Sequence, residues 1–271
     1  MVAVESLKAL DDSGVARILL REAGLERAEP PSCTLDFSDR SGQRLCVRIY
    51  KGPPENPHIF YFPAEYETDS TMHLLGTGLV SVGFTLVAFE YRGMGQSQGN
   101  FSFAQVFEDA GLFYRASRLW MEEQGRGGHV ALMGRSLGAA VALDLAARKE
   151  REVLCLIMES AFDSGRVFLE RSGVDPSLIP KGPLFENRSK MAGFKRPVLF
   201  IHSPRDTIQS LTEVEWLVCE SRSKATQFQI APSGTRQELA GQVGELYLEV
   251  VQQWVNLRRG VRPPRKRRPK P

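Results

Sequence analysis

The residues with the most chemical promise lie in one short stretch, His129-Val-Ala-Leu-Met-Gly-Arg-Ser-Leu-Gly138. An apolar strand pattern runs straight into G-x-S-x-G, and a small-residue, helix-prone run follows over 139–149. A serine between near-neighbour glycines at a strand-to-helix turn is forced into strained backbone angles. Its hydroxyl is thereby lifted above the sheet, as a nucleophile requires. Such a hydroxyl attacks a carbonyl carbon when a base takes its proton and an acid orients that base. Ser136 is the candidate nucleophile, and the remaining question is which residues serve it.

The elements needed to hold such a turn are legible along the chain. Leu7, Leu10, Val15, Ile18 and Leu19 recur at helical spacing over 4–23, with a break near Ser13-Gly14. Strand patterns follow at 33–37, 45–50, 58–62, 84–89, 130–133, 153–158, 198–201 and 227–231. Turn residues at 39–42 make the first two a hairpin. Apart from the last, these runs are largely continuous apolar stretches, as expected of strands buried on both faces of a parallel sheet. Helical stretches at 72–82, 103–124, 137–149, 211–221 and 237–258 alternate with them. The alternation predicts one open α/β domain over 31–257, with helices on both faces and an N-terminal helical segment, 1–30, before it. The stretch 163–195, rich in Pro, Gly and Ser, is expected to lean over the active face as a short cap.

Composition bounds the function classes. Of 271 residues, 42% are apolar and 25% charged, an ordinary balance for a soluble globular protein. The formal charge of +3 conceals an asymmetry, because 258–271 holds eight Lys/Arg and no acid. The body keeps 27 basic against 32 acidic residues, about −5. A Pro-rich basic run cannot build a core, so 258–271 is expected to be a disordered tail. Through charge alone it can touch an acidic partner, anionic lipid or nucleic acid. No apolar run reaches the roughly 20 residues of a membrane span, and the N-terminus lacks the apolar stretch of a signal peptide. Cys33, Cys46, Cys155 and Cys219 are scattered without a C-x-x-C pair, which predicts reduced thiols and a cytoplasmic location. The chain has no P-loop, no G-x-G-x-x-G opening a helix after the first strand and no H-E-x-x-H, so no cofactor or metal is expected.

Four motifs, in this order along the chain, carry a family resemblance. Tyr91-Arg-Gly-Met-Gly-Gln-Ser-Gln-Gly99 follows the fourth strand, and Gly134–Gly138 forms the serine turn. Glu159-Ser-Ala-Phe-Asp-Ser164 follows the sixth strand, and Pro197-Val-Leu-Phe-Ile-His-Ser-Pro-Arg-Asp206 ends the seventh. Spanning most of 43–257, they resemble the α/β-hydrolase superfamily, in its serine aminopeptidase and esterase-like branch. The resemblance implies a mostly parallel eight-stranded sheet with helices on both faces. It also implies a Ser–acid–His relay in which Ser136 is the nucleophile and Asp206 the acid.

The same resemblance exposes two departures. The base belongs after the eighth strand, usually as Gly-His, yet this chain reads Ala231-Pro-Ser-Gly-Thr235, and no histidine follows His202. Thr235 stands at the base position and cannot accept a proton near neutral pH. His202 and His73 are the alternative bases, whereas His58 and His129 belong at the far edge of the sheet. The second departure lies after the third strand, where the family commonly has His-Gly and this chain has Pro63-Ala64-Glu65. The backbone N–H groups of Leu137 and Glu65 are the expected oxyanion donors. The Glu65 carboxylate opposes a developing oxyanion unless it points to water, or else it serves as a makeshift base.

Two functions fit these residues. One is serine-type hydrolysis of an ester, thioester or amide through Ser136, with an incomplete triad and weak or atypical turnover of a small acyl substrate. The other is a non-catalytic pseudo-hydrolase that binds a ligand or offers its surface to a protein.

Overall fold

Glycines and apolar runs, in the order given by the sequence, set the architecture. The structure, a computed structural model, describes residues 4–20, 30–231, 234–241 and 244–261. Its strands are β1 (Cys33–Ser38), β2 (Arg44–Tyr50), β3 (His58–Phe62), β4 (Thr85–Phe89), β5 (Val130–Arg135), β6 (Leu156–Glu159), β7 (Val198–His202) and β8 (Thr226–Ile230). The helices are α1 (Val4–Asp12), α2 (Val15–Leu19), α3 (Asp69–Ser81), α4 (Val106–Glu123), α5 (Leu137–Arg148), α6 (Gly165–Arg171), α7 (Asn187–Gly193), α8 (Leu211–Glu220), α9 (Arg236–Gly241) and α10 (Glu245–Arg258). One eight-stranded sheet runs β1-β2-β4-β3-β5-β6-β7-β8. The β1–β2 hairpin and the β2–β4 pair are antiparallel, and every later pairing is parallel.

Both faces of this sheet are covered, which is why its central strands read as largely continuous apolar runs. Successive side chains alternate between two cores. Ile59, Tyr61, Leu86, Ala131, Met133, Ile157 and Leu199 pack with Leu75, Leu79, Val251 and Trp254 of α3 and α10. Phe60, Phe62, Val87, Phe89, Leu132, Met158 and Phe200 pack with α4, α5 and α8 through residues such as Phe113, Val141 and Leu217. The N-terminal helices join the second core through Leu7, Leu10, Val15 and Leu19. Asp11 fixes them there, its carboxylate accepting from Ser102 Oγ at 2.7 Å and from the Phe103 N–H at 2.6 Å. The expected break between the two helices is present, with Gly14 at φ 76°. Residues 21–29, the remainder of that N-terminal segment, lie outside the described residues.

Two expectations need correction. The stretch 237–258 is two helices, because Gly244 is extended (φ −86°, ψ 174°) where a single helix needs it helical. α10 itself ends at Arg258, the first residue of the expected basic tail, and 262–271 lies outside the described residues. The 163–195 segment is also more than a cap. Phe168, Leu169, Phe185, Met191 and Phe194 are buried in the main core, and only part of it faces the cleft. Among the described residues, no helix is long and apolar enough to cross a membrane.

His58, at the N-terminal end of β3, gives this frame a pH dependence. It is fully buried, and its Nε2 accepts from Arg126 Nε at 3.0 Å. Burial first, and the Arg126 guanidinium second, push its pKa down from 6.5 to about 4. Below pH 6.5 the unfolded chain therefore takes up a proton that the folded chain refuses, so this contribution is complete above 6.5 and fades as pH falls toward 4. The urea midpoint of the protein is expected to drop between about pH 7 and pH 4.5 by more than that of His58→Gln, which lacks the titrating ring. Equal drops would contradict this account.

Candidate active site

The site lies at the C-terminal ends of the parallel strands, where open α/β sheets hold their ligands. β5 delivers Ser136 by the turn its sequence suggested. Ser136 has φ 53° and ψ −116°, a conformation L-residues avoid. Packing holds it there. A Cβ on Gly138 would overlap the carbonyl oxygens of Phe62 and Pro63, and one on Gly134 would overlap the Gly138 backbone. Those neighbours are main chain and cannot swing away. Gly138→Ala is expected to cost at least about 1–3 kcal/mol, measurable as a lower urea midpoint at unchanged slope.

Arg135, one residue before the serine, anchors the turn from beneath. It is fully buried and forks onto Glu159 of β6, with Nε at 2.7 Å and Nη2 at 3.2 Å, while Nη1 reaches Glu67 at 2.6 Å. Burial pulls the guanidinium pKa down, but the Glu159 and Glu67 carboxylates carry it the other way, well above its ordinary value. Glu67 in turn accepts from Tyr61 Oη at 2.7 Å and from the Ala64 N–H at 3.2 Å, and Glu159 accepts from Tyr247 Oη at 2.5 Å. Tyr91, from the Y-R-G motif, donates to the Pro63 carbonyl at 2.8 Å. The loop 63–67 is therefore held at both ends.

That loop carries Glu65 into the site. Its carboxylate does not point to water. Oε1 accepts from the Ser136 hydroxyl at 2.9 Å, and Oε2 accepts from the Leu137 N–H at 3.1 Å. Leu137 N–H, expected to receive an oxyanion, is thus bonded to a resident carboxylate. Arg236 completes the arrangement. Its Nη2 donates to Glu65 Oε1 at 3.1 Å and also to Ser136 Oγ. Ser136 is 0% exposed, Arg236 2% and Glu65 5%, so the hydroxyl is sealed beneath its two neighbours. Above them lies a cleft of about 200 Å³, lined by Ile18, Leu19, Tyr66, Arg171, Ile208 and the outer atoms of Glu65 and Arg236.

Asp206 is where the acid belongs, at the end of β7. Its Oδ1 accepts from the N–H groups of Ile208 at 2.8 Å and Gln209 at 3.0 Å. Oδ2 faces Arg236 Nε at 4.0 Å, and neither atom has a hydrogen-bond partner among the described residues. The group between acid and hydroxyl is thus a guanidinium. Thr235, at the base position, is half-buried, and its carbonyl accepts from the Leu239 N–H at 2.9 Å to open α9.

The four histidines have other roles. His202 donates from Nε2 to the Gln209 carbonyl at 2.9 Å, and burial lowers its pKa against the pull of Asp206. His73 packs edge-on against Tyr50, with ring centroids 5.7 Å apart. His129 is exposed, and its carbonyl accepts the His58 N–H at 2.8 Å, so both lie at the strand ends opposite Ser136.

Sequence reasoning missed Arg236. The signal available was its place directly after Thr235, at the start of α9. Burial lowers its pKa, but Glu65, then Tyr66 and Asp206, raise it above the ordinary arginine value. A guanidinium so held has no lone pair to accept a proton. Glu65 lies within general-base reach of Oγ. Yet its carboxylate also occupies the donor that an oxyanion needs, and two like charges about 4 Å apart repel by about 4 kcal/mol at an effective dielectric of 20. The site holds a serine hydroxyl in a polarised chain from Arg236 to Glu65, with the Leu137 N–H bonded to the Glu65 carboxylate.

Comparisons with known proteins agree with this architecture. Residues 65–167 match the family model for serine aminopeptidase, S33. An uncharacterised protein of Mycobacterium tuberculosis is 32% identical over 150 residues, covering 53% of this chain and 50% of that protein. The chain thus spans about half the length of the curated relatives it matches. Among solved structures, a Pyrococcus furiosus esterase superposes with a TM-score of 0.68 at 14% identity, over 86% of this chain and 96% of the other. A soluble variant of monoglyceride lipase from Saccharomyces cerevisiae gives 0.63 at 15% identity, over 86% and 96%. The esterase domain of a Rhodothermus marinus protein gives 0.60 at 21%, over 82% and 99%. With the strand order, the turn at Ser136 and these likenesses together, the chain has the α/β-hydrolase fold, and its residues 65–167 are similar to the serine aminopeptidase, S33, family.

Proposed function

We propose that this chain is a non-hydrolytic α/β-hydrolase, retaining the cleft above Ser136 to bind a small acyl-type ligand. The reading rests on two observations: Glu65 is bonded to Leu137 N–H, and Arg236 stands between Asp206 and Ser136. Thr235 at the base position leaves the relay without a proton acceptor of the usual kind. The oxyanion donor is bonded to a negative charge. Hydrolysis needs both functions, because general-base transfer supplies about 10²–10⁴ in rate and each oxyanion donor about 10²–10³. The cysteine thiols are unpaired, in keeping with a reducing, cytoplasmic setting.

A second reading draws on the 2.9 Å hydrogen bond from Ser136 Oγ to Glu65 Oε1. There Glu65 leaves the Leu137 N–H and takes the hydroxyl proton as Ser136 Oγ bonds to an ester carbonyl carbon. It then passes that proton to the departing alcohol as the ester C–O bond breaks, a slow acyl transfer to Ser136. One experiment decides between the two. The protein is incubated with a fluorophosphonate and weighed intact, alongside Ser136→Ala. No adduct, with p-nitrophenyl acetate cleaved at the buffer rate, is expected. An adduct on the wild type that disappears in Ser136→Ala would restore the hydrolase reading.

A further inference from the structure

We propose that the arrangement around Glu65 is a carboxylate receptor, in which Glu65 is a resident competitor for a small acid ligand. The inference deepens the non-hydrolytic reading of this site and names the class of ligand. Three donors converge on the Glu65 carboxylate. They are the Ser136 hydroxyl at 2.9 Å, the Leu137 N–H at 3.1 Å and Arg236 Nη2 at 3.1 Å. The N–H lies at the start of α5, a twelve-residue helix whose N-terminus favours negative charge. An independent feature points the same way. Arg236 is 2% exposed, and its Nε has no hydrogen-bond partner among the described residues. That Nε faces Asp206 Oδ2 at 4.0 Å, beyond hydrogen-bond reach, so when Glu65 leaves, an incoming anion restores a close charged partner to the buried guanidinium and a neutral group does not.

Charge conservation makes the exchange feasible. If Glu65 turns out into the cleft, its carboxylate gains water, and an incoming carboxylate restores the same net charge around Arg236. An amide or ester of the same shape does not. The cleft sets the rest of the ligand. Ile18, Leu19 and Ile208 supply apolar walls and Tyr66 an aromatic one, and its volume of about 200 Å³ suits a short aliphatic or aryl acid better than a peptide tail. Tyr66 and Phe168 also hold the guanidinium in place, their ring centroids 5.1 Å and 5.8 Å from Arg236 Cζ.

The test is calorimetric titration of butyrate and butyramide, at fixed ionic strength and pH 7, into the wild type, Glu65→Ala and Glu65→Gln. Glu65→Ala is expected to bind butyrate at least tenfold more tightly than the wild type. Butyramide should bind that variant at least tenfold more weakly than butyrate does, and Arg236→Met in the same background should abolish butyrate binding. Where Glu65→Ala does not fold, Glu65→Gln carries the comparison, with a gain of at least threefold from loss of the competing charge. Equal butyrate affinity in wild type and both Glu65 variants overturns the inference, as does equal affinity for butyramide. Fluorophosphonate labelling of wild-type Ser136 would remove the non-hydrolytic reading alone, whereas flat butyrate titrations would remove the receptor alone.

Discussion

Arg135→Met is expected to lose about 3–5 kcal/mol of stability, the cost of stripping one partner from a buried ion cluster. Small proteins commonly hold about 5–15 kcal/mol in all, so little margin would remain. The reason is local. Arg135 is the cation shared by Glu67 and Glu159, and all three side chains are fully buried. Without it, two carboxylates face each other in a buried region, with only the Tyr61 and Tyr247 hydroxyls and the Ala64 N–H as donors among the described residues. Urea unfolding followed by circular dichroism measures the loss. Arg135→Lys should recover only part of it, because an ammonium cannot fork onto Glu159 and reach Glu67 together. Arg135→Met combined with Glu67→Gln and Glu159→Gln should be more stable than Arg135→Met alone, since no uncompensated charge is left. A loss below about 1 kcal/mol in Arg135→Met would place the anchoring of the serine turn elsewhere.

The second large effect concerns catalysis. Thr235→His alone should leave p-nitrophenyl acetate hydrolysis at the background rate, because Arg236 already fills the space between Asp206 and Ser136 and Glu65 keeps its bond to Leu137 N–H. The combination Glu65→Gly, Thr235→His and Arg236→Ala empties both positions and adds an imidazole. It should raise the rate by about 10²–10⁴, the range contributed by a positioned general base. Glu65→Gly with Arg236→Ala, lacking the imidazole, should stay near background. The three variants separate the missing base from the obstructed oxyanion seat. A folded triple variant at the background rate would mean that Thr235 does not mark the place of the imidazole.

The fold was largely legible because periodicity reports burial, and burial here is two-sided. The runs 58–62, 84–89 and 198–201 are largely continuous apolar segments, and each is a strand of the sheet within a residue or so of the expected ends. The last helical stretch misled because Tyr247, Leu248, Val251, Trp254 and Val255 carry a strong helical period. That period masked the interruption at Gly244. Within the site, the serine turn is legible from its two glycines, whereas Asp206 is reached through the family resemblance of 197–206. Thr235 is legible as a replacement, whereas the role of Arg236 is not. A long side chain acts some distance from its own Cα, and no spacing rule gives its direction. Glu65 was legible as a conflict, yet its outcome depended on Arg236, a residue 171 positions away that makes a buried carboxylate tolerable.

The crowding at Gly134 and Gly138 has a wider consequence. The bend at Ser136 is dictated by main chain from β3 pressing against the start of α5, so its shape answers to how closely two elements nest. Such a bend survives the loss of any reaction, because relaxing it would push the helix off the sheet. A glycine-framed serine is therefore an architectural signature first, and whether it is also a reactive one is decided by side chains arriving from distant loops.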